Sequence, residues 1–266
     1  MSRTAQIEGA LGQRVARLVP LHGGDLSDVA RADLEDGREV VVKTGPMVET
    51  EARMLQAMSA ANAPVPEVLH TEPGLILLQH LTETPPSPES YRALGAALAQ
   101  LHGTEGNSYG WPEPYAFGPV EIRNTQDGHW PTFWAEHRLQ PFLGVVPQEM
   151  AARLETLCIR LPDLLPAQPR PALLHGDIWI GNALFSGAAA YLIDPACYHG
   201  DPEVDLAMLN LFGQPPTEVM EGYGSLAAGH EARQPIYQLW PALVHLRLFG
   251  AGYHGLVTRL LGRAGV

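Results

Sequence analysis

Cysteine is nearly absent from this 266-residue chain: Cys158 and Cys197 are the only two. That rules out a disulfide framework and a cysteine-based zinc site, and it fits a reducing compartment. No run of Lys or Arg occurs, and 29 acidic residues against 17 basic ones leave a net charge of −12. Nucleic acids and anionic membranes are gripped through basic patches, so neither is expected as a partner. No stretch approaches the roughly 20 apolar residues of a membrane span, and the first residues, Met1-Ser2-Arg3-Thr4-Ala5-Gln6, lead into no apolar signal segment. A cytoplasmic protein is the expectation.

Lysine is scarcer still. Lys43 is the only one, and the other sixteen basic residues are arginines. It stands at the end of the β-like run Glu39-Val40-Val41-Val42. The bland explanation is that a single lysine must fall somewhere. The functional one is that a compact ammonium suits a place where a point charge meets phosphate oxygens.

What is present reads as two regions. Residues 15–43 look like strands, with Glu35-Asp36-Gly37-Arg38 as a hairpin turn. Val48, Ala52, Leu55 and Met58 recur at helical spacing and predict a helix near 47–61. Glu67–His70 and Leu75–Leu78, parted by Pro73-Gly74, read as two further strands. After a Pro- and Thr-rich connector the pattern turns helical. Ser87 caps and Pro88 opens a helix through Tyr91, Leu94, Leu98 and Leu101, stopped at Gly103. Residues 104–131, dense in Gly, Pro and aromatics, predict an ordered excursion. Helical spacing returns at Met150, Leu154, Leu157 and Leu161, and again over Pro235–Leu261, where Pro241 is expected to kink or break the helix. The fold class is α+β: a small β-rich lobe over 1–78, a hinge at 79–84 and a larger α-rich lobe over 85–266.

Chemistry concentrates in Leu173-Leu174-His175-Gly176-Asp177-Ile178-Trp179-Ile180-Gly181-Asn182, followed by Tyr191-Leu192-Ile193-Asp194-Pro195. Apolar residues flank each polar cluster, as where strand ends present loops. Phosphoryl transfer to a hydroxyl needs one carboxylate to orient the acceptor and take its proton, and further oxygen ligands for Mg²⁺. Asp177 with Asn182 five residues later has the kinase catalytic-loop spacing of base and metal-binding Asn, and Asp194 ends the next strand as the second metal ligand. Asp-x-x-x-x-Asn alone is common; between His-Gly and Ile-Asp it is specific. The structural alternative has His175 and Asp177 holding a turn and Asn182 capping a hairpin. A metallophosphoesterase would need serial His-rich clusters whose spacing is missing here.

The stretches 174–182, Ile193-Asp194-Pro195-Ala196-Cys197-Tyr198-His199-Gly200-Asp201 and onward to Met208, Leu211-Phe212-Gly213, Tyr109-Gly110-Trp111, Tyr237-Gln238-Leu239 and His245-Leu246-Arg247-Leu248-Phe249-Gly250 together resemble the fructosamine (ketosamine) 3-kinase family. The family lies within the protein-kinase-like phosphotransferases, and the likeness runs from about residue 10 to 261. It implies a bilobal protein-kinase-like fold with ATP between the lobes. Lys43 then contacts the α- and β-phosphates and is held by Glu51, with Glu49 a nearby alternative. The phosphate-covering loop contains Gly23 and Gly24, and the hinge offers backbone groups of Gln79 and Leu81 to adenine. Asp177 is the base, Asn182 and Asp194 bind Mg²⁺, and Asp205 braces the catalytic loop.

For the acceptor, Trp179 inside the catalytic loop and Tyr198, Trp240 and His245 are candidates, because aromatic faces suit sugar C–H surfaces and a protonated amine. Core packing is the competing explanation for each. The expected activity is ATP-dependent phosphorylation of a sugar hydroxyl on small-molecule ketoamines or glycated amines, at the 3-hydroxyl, by a monomer. Two alternatives stay open: a kinase of another hydroxyl compound such as an aminoglycoside or amino alcohol, and a nucleotide-binding pseudokinase. A pseudokinase is expected to lose Lys43, Asp177, Asn182 or Asp194, and all four are present.

Overall fold

The Ser2 hydroxyl accepts the Ala5 amide to start the first helix, α1 (Arg3–Leu11), and Gly12, at φ +63°, ends it. The computed structural model describes residues 2–21 and 27–266. Gly23 and Gly24 therefore lie outside the described residues. Strands β1 (Val15–Pro20), β2 (Asp28–Leu34) and β3 (Glu39–Thr44) follow, then helix α2 (Val48–Ala60) and strands β4 (Val68–Glu72) and β5 (Leu75–Gln79). They form one antiparallel sheet in the order β1-β2-β3-β5-β4.

The unbroken apolar run of β5 has a direct cause: both faces of the sheet are covered. Alternate side chains of a strand point to opposite faces. Leu75 and Leu77 pack with Ile7 of α1, Ala32, Val40 and Val42, whereas Ile76 and Leu78 pack with Val48, Ala52 and Leu55 of α2. The opposite side of α2 is apolar as well, and Met54, Met58 and Ala61 belong to the main core of the larger lobe.

The connector after β5 is pinned: the Thr84 amide donates to the Phe185 carbonyl (2.8 Å) and its hydroxyl accepts the Gly187 amide (2.9 Å). Helix α3 (Pro88–His102) starts with Ser87 and Ser90 capping one another reciprocally and with Pro88 in its first turn. The excursion beyond it is ordered and carries the hairpin β6 (Tyr115–Phe117) and β7 (Val120–Ile122). Helix α4 (Trp130–Trp134), a π-helical turn at Ala135–Leu139 and helix α5 (Gln148–Leu164) follow. Four short strands then frame the loops of interest: β8 (Ala172–Leu174), β9 (Ala183–Ser186), β10 (Ala189–Leu192) and β11 (Tyr198–Gly200), paired as β8–β11 and β9–β10. Helices α6 (Glu203–Leu209), α7 (Thr217–Tyr223), α8 (His230–Phe249) and α9 (His254–Arg263) complete the chain.

One expectation is corrected here. Pro241 does not break the C-terminal helix: α8 runs through both Pro235 and Pro241. A proline inside a helix costs about 3 kcal/mol. Ile236, Tyr237, Leu239, Trp240, Ala242 and Leu243 are all buried around it, which offsets that loss. The break comes at Gly250, whose φ of +83° and ψ of −161° leave the helical region.

Helices α3 and α7 touch backbone to backbone. A Cβ on Gly95 would lie 1.9 Å from the Val219 carbonyl oxygen, and one on Gly222 would lie 2.0 Å from that of Arg92. Neither neighbour is a side chain that can swing away. Gly95→Ala and Gly222→Ala are each expected to destabilise by roughly 1–3 kcal/mol, seen as a lower calorimetric midpoint. An unchanged midpoint would show that the two helices are not packed this closely.

Candidate active site

The loop between β8 and β9 is shaped by one glycine and one buried carboxylate. Gly176 has φ +82°, and a Cβ there would stand 2.0 Å from the Ala196 carbonyl oxygen, so no other residue fits. Asp205 of α6, fully buried, accepts the His175 amide at 2.7 Å and the Gly176 amide at 2.9 Å, and meets His102 Nε2 at 3.0 Å. Burial works against its charge. The His102 hydrogen bond and the other partners prevail and hold Asp205 below the usual carboxylate range. His175 is held neutral by burial, with Nε2 on the Ile193 carbonyl (2.9 Å) and Nδ1 accepting the Asp177 amide (3.3 Å). The Ala196 amide donates to the His175 carbonyl and the Ile193 amide to the Asn182 carbonyl. The two polar loops are thereby stitched together.

The consequence is a convergence. Asp177, Asn182, Asp194, Lys43 and Glu51 all line one cleft of about 600 Å³. Lys43 Nζ, buried at the end of β3, donates to Glu51 Oε1 on α2 and to Asp194 Oδ1, at 2.5 Å each. Burial opposes the ammonium, but the two carboxylates hold its pKa above the ordinary lysine value. Glu51 is pushed up, because burial outweighs the shared ammonium. Asp194 adopts φ +56°, a left-handed conformation rare for a residue with a Cβ, that goes with its turn toward the cleft. Asn182 Nδ2 donates to the Asp177 backbone carbonyl (2.7 Å) and to its Oδ2 (3.2 Å). A carbonyl cannot donate, so this fixes the amide orientation and leaves Asn182 Oδ1 as an acceptor. Burial first, then the Asp194 carboxylate beside it, push Asp177 up to about 8.

Comparison with known proteins identifies the family. The fructosamine kinase family model matches residues 2–264. The chain belongs to the fructosamine kinase family. A Thermus thermophilus protein named "probable ketoamine kinase" is 36% identical over 255 residues, covering 91% of this chain and 92% of its own length. A crystal structure from Thermobifida fusca, described as a candidate fructosamine-3-kinase, matches with a TM-score of 0.92 at 32% identity, over 99% of this chain and 98% of that one. An aminoglycoside phosphotransferase solved with AMP-PNP and hygromycin B shares the fold, with a TM-score of 0.67 at 18% identity over 99% of this chain and 97% of its own. The chain is thus a phosphotransferase with a hydroxyl acceptor, on a protein-kinase-like α+β fold. Among the described residues no helix is long and apolar enough to cross a membrane.

Aromatic residues also line the cleft. Trp179 is 44% exposed and lies over Gly181, where an added Cβ would meet the indole at 2.3 Å. His245 lines the same wall, beside Phe212, Phe249 and Tyr253 at ring-centroid distances of 4.7, 5.4 and 5.3 Å. Its Nδ1 donates to the Pro241 carbonyl (2.7 Å), so Nε2 is left as an acceptor. Burial lowers the pKa of this imidazole.

Two expected acceptor contacts are corrected. Tyr198 and Trp240 are buried and do not line the cleft. They pack on the buried guanidinium of Arg138, whose Cζ stands 4.2 Å and 4.9 Å from their ring centroids. Tyr198 sits in β11 on the inward side of a strand whose alternation the short motif could not orient. Gln79 and Leu81 lie at the connector, where the Gln79 amide is taken by the Glu67 carbonyl (2.8 Å), and neither lines the described cleft. Glu51, rather than Glu49, reaches Lys43. Tyr115 and Phe117 also face the cleft; the aromatic density of the excursion was their only signal.

Removing the Asp205 carboxylate leaves three buried polar partners unmatched, each worth about 1–3 kcal/mol. Asp205→Ala is expected to lower the unfolding midpoint sharply and to abolish activity, measured by calorimetry and turnover. A variant as stable as wild type would remove Asp205 from the centre of this network.

Proposed function

We propose that this chain is an ATP- and magnesium-dependent ketoamine kinase that phosphorylates the sugar 3-hydroxyl of fructosamine- or ribulosamine-type adducts. The observation that carries the reading is the shared cleft in which Lys43, tied to both Glu51 and Asp194, faces Asp177 and Asn182. The family relationship and the AMP-PNP held by a protein of the same fold support ATP as donor.

The roles follow from chemistry. Lys43 binds the α- and β-phosphates, with Glu51 fixing its direction. Asp177 orients the acceptor hydroxyl and takes its proton as the oxygen bonds to the γ-phosphorus and the bond to ADP breaks. The donor set fits a small hard cation: the Asp194 carboxylate and the Asn182 Oδ1 are oxygen ligands, and among the described residues the Asp177 carboxylate beside them lacks a cationic partner. Among the described residues no group of three or more His, Cys, Asp or Glu forms a metal cage. Mg²⁺ is commonly held by one or two carboxylates together with substrate phosphates. Asn182 and Asp194 would therefore hold it, and it would supply charge neutralisation on the phosphates. Trp179 and His245 wall the acceptor, and the indole face suits the protonated ketoamine nitrogen. A phosphate at the 3-position, next to the C2 carbonyl, is set up to leave as inorganic phosphate once a C1 proton is lost and the C1–C2 enol forms. Hydrolysis of the resulting C1 imine by water frees the amine, so the activity amounts to deglycation.

ATP consumption with a synthetic fructosamine, and across aminoglycosides and amino alcohols, tests the acceptor class. Asp177→Ala is expected to cut turnover by about 10²–10⁴-fold while AMP-PNP still binds in calorimetry, because the base is not a nucleotide anchor. Full turnover in that variant would remove Asp177 from its role, and selective activity on an aminoglycoside would replace the ketoamine.

A further inference from the structure

The roles above leave three polar side chains of the cleft unused, Ser27, Tyr253 and Tyr115, and of these Tyr115 stands nearest the carboxylates that carry the proposed chemistry. Tyr115 opens β6, is 8% exposed, and lines the cleft together with Asp177, Asn182 and Asp194. Other tyrosines of this lobe commit their hydroxyls to protein partners: Tyr109 to the Pro169 carbonyl, Tyr223 to His102, and Tyr237 to Asp201. The Tyr198 hydroxyl is sealed in the core beside the Arg138 guanidinium. The Tyr115 hydroxyl makes no hydrogen bond among the described residues and faces the cleft.

Its surroundings define its chemistry. Burial, then the carboxylates of Glu51, Asp194 and Asp177, push the Tyr115 pKa far above the ordinary phenol value. The group therefore stays an O–H donor at any working pH. The carboxylates around it accept when ionised, and the lone ammonium of Lys43 is already shared by two of them. A sugar bound in the cleft has hydroxyl oxygens to satisfy, and Tyr115 is a neutral donor free to meet one.

The phenol is also held in place. Phe117, two residues on and on the same side of the strand, stands edge-on to it at 6.0 Å and packs on Trp240. Just before the strand, Glu113 is forked by Arg53 of α2, with Nε at 2.8 and 2.7 Å from its two oxygens. The helix that carries Glu51 therefore also makes an exposed contact just before the strand that presents Tyr115.

We propose that Tyr115 is a further acceptor-binding residue, whose O–H donates a hydrogen bond to a hydroxyl oxygen of the sugar other than the one that reacts. This rests on the ketoamine-kinase reading. Tyr115→Phe keeps the ring and its packing, so the melting temperature and the KM for ATP should stay at wild-type values. The kcat/KM for the ketoamine should fall about tenfold, the size of one lost hydrogen bond. In a series of ketoamines each lacking one hydroxyl, one deoxy compound should lower wild-type kcat/KM by a similar factor. On that compound Tyr115→Phe should match wild type, which a merely structural role would not produce. A variant within twofold of wild type on the intact ketoamine, or a deficit that persists on every deoxy acceptor, overturns the proposal. Wild-type turnover of the intact ketoamine separates the two readings: its absence removes the ketoamine assignment and this one together, whereas its presence with an unaffected variant removes this one alone.

Discussion

A single ammonium joins the two halves of this molecule. Lys43 comes from the sheet, Glu51 from the helix beside it, and Asp194 from the loop beyond β10, 151 residues further along the chain. At 2.5 Å from both carboxylates, a charge that burial would otherwise expel becomes the point that sets the geometry between β3, α2 and the loop after β10. Truncating such a buried, shared charge leaves two carboxylates facing one another, which is far costlier than losing a surface pair. The bias of the chain toward arginine makes sense beside this. A planar guanidinium does not fit a spot where one small cation must be shared in several directions.

The second organising group is Asp205, and it works through backbone rather than through substrate. Two loop amides and one imidazole end on its carboxylate, so the stretch from His175 to Asp177 has little freedom left. Preorganisation of this kind is where an enzyme gains rate, because the reacting groups need no rearrangement when the substrate arrives. Gly176 and Asp194, both with positive φ, are the local backbone costs of that arrangement, and both lie where the two loops meet.

Much of this was legible in the residues. A hairpin turn and apolar runs located four of the five strands of the sheet, the first falling within a stretch read only broadly as strand, and the helix predicted near 47–61 is α2, at Val48–Ala60. The spacing of Asp177, Asn182 and Asp194 identified groups that the fold brings to one cleft. Other features depend on distant packing and carry no local mark. Pro241 is tolerated because the helix around it is buried on several sides, which one stretch of sequence does not reveal. Tyr198 and Trp240 have the composition of sugar-stacking residues, yet Arg138, sixty residues before the first of them, draws both inward. Tyr115 has the reverse history: an ordinary aromatic of a loop-like stretch is delivered to the cleft by the β6–β7 hairpin.

Helix α2 has a consequence for how the molecule folds and moves. Because Met54, Met58, Ala61 and Ala63 are embedded in the core of the larger lobe, the helix is anchored on both sides. A fragment cut after residue 84 would present those side chains to water. Relative movement of the sheet and the larger lobe would strain apolar contacts on one side of α2 or the other.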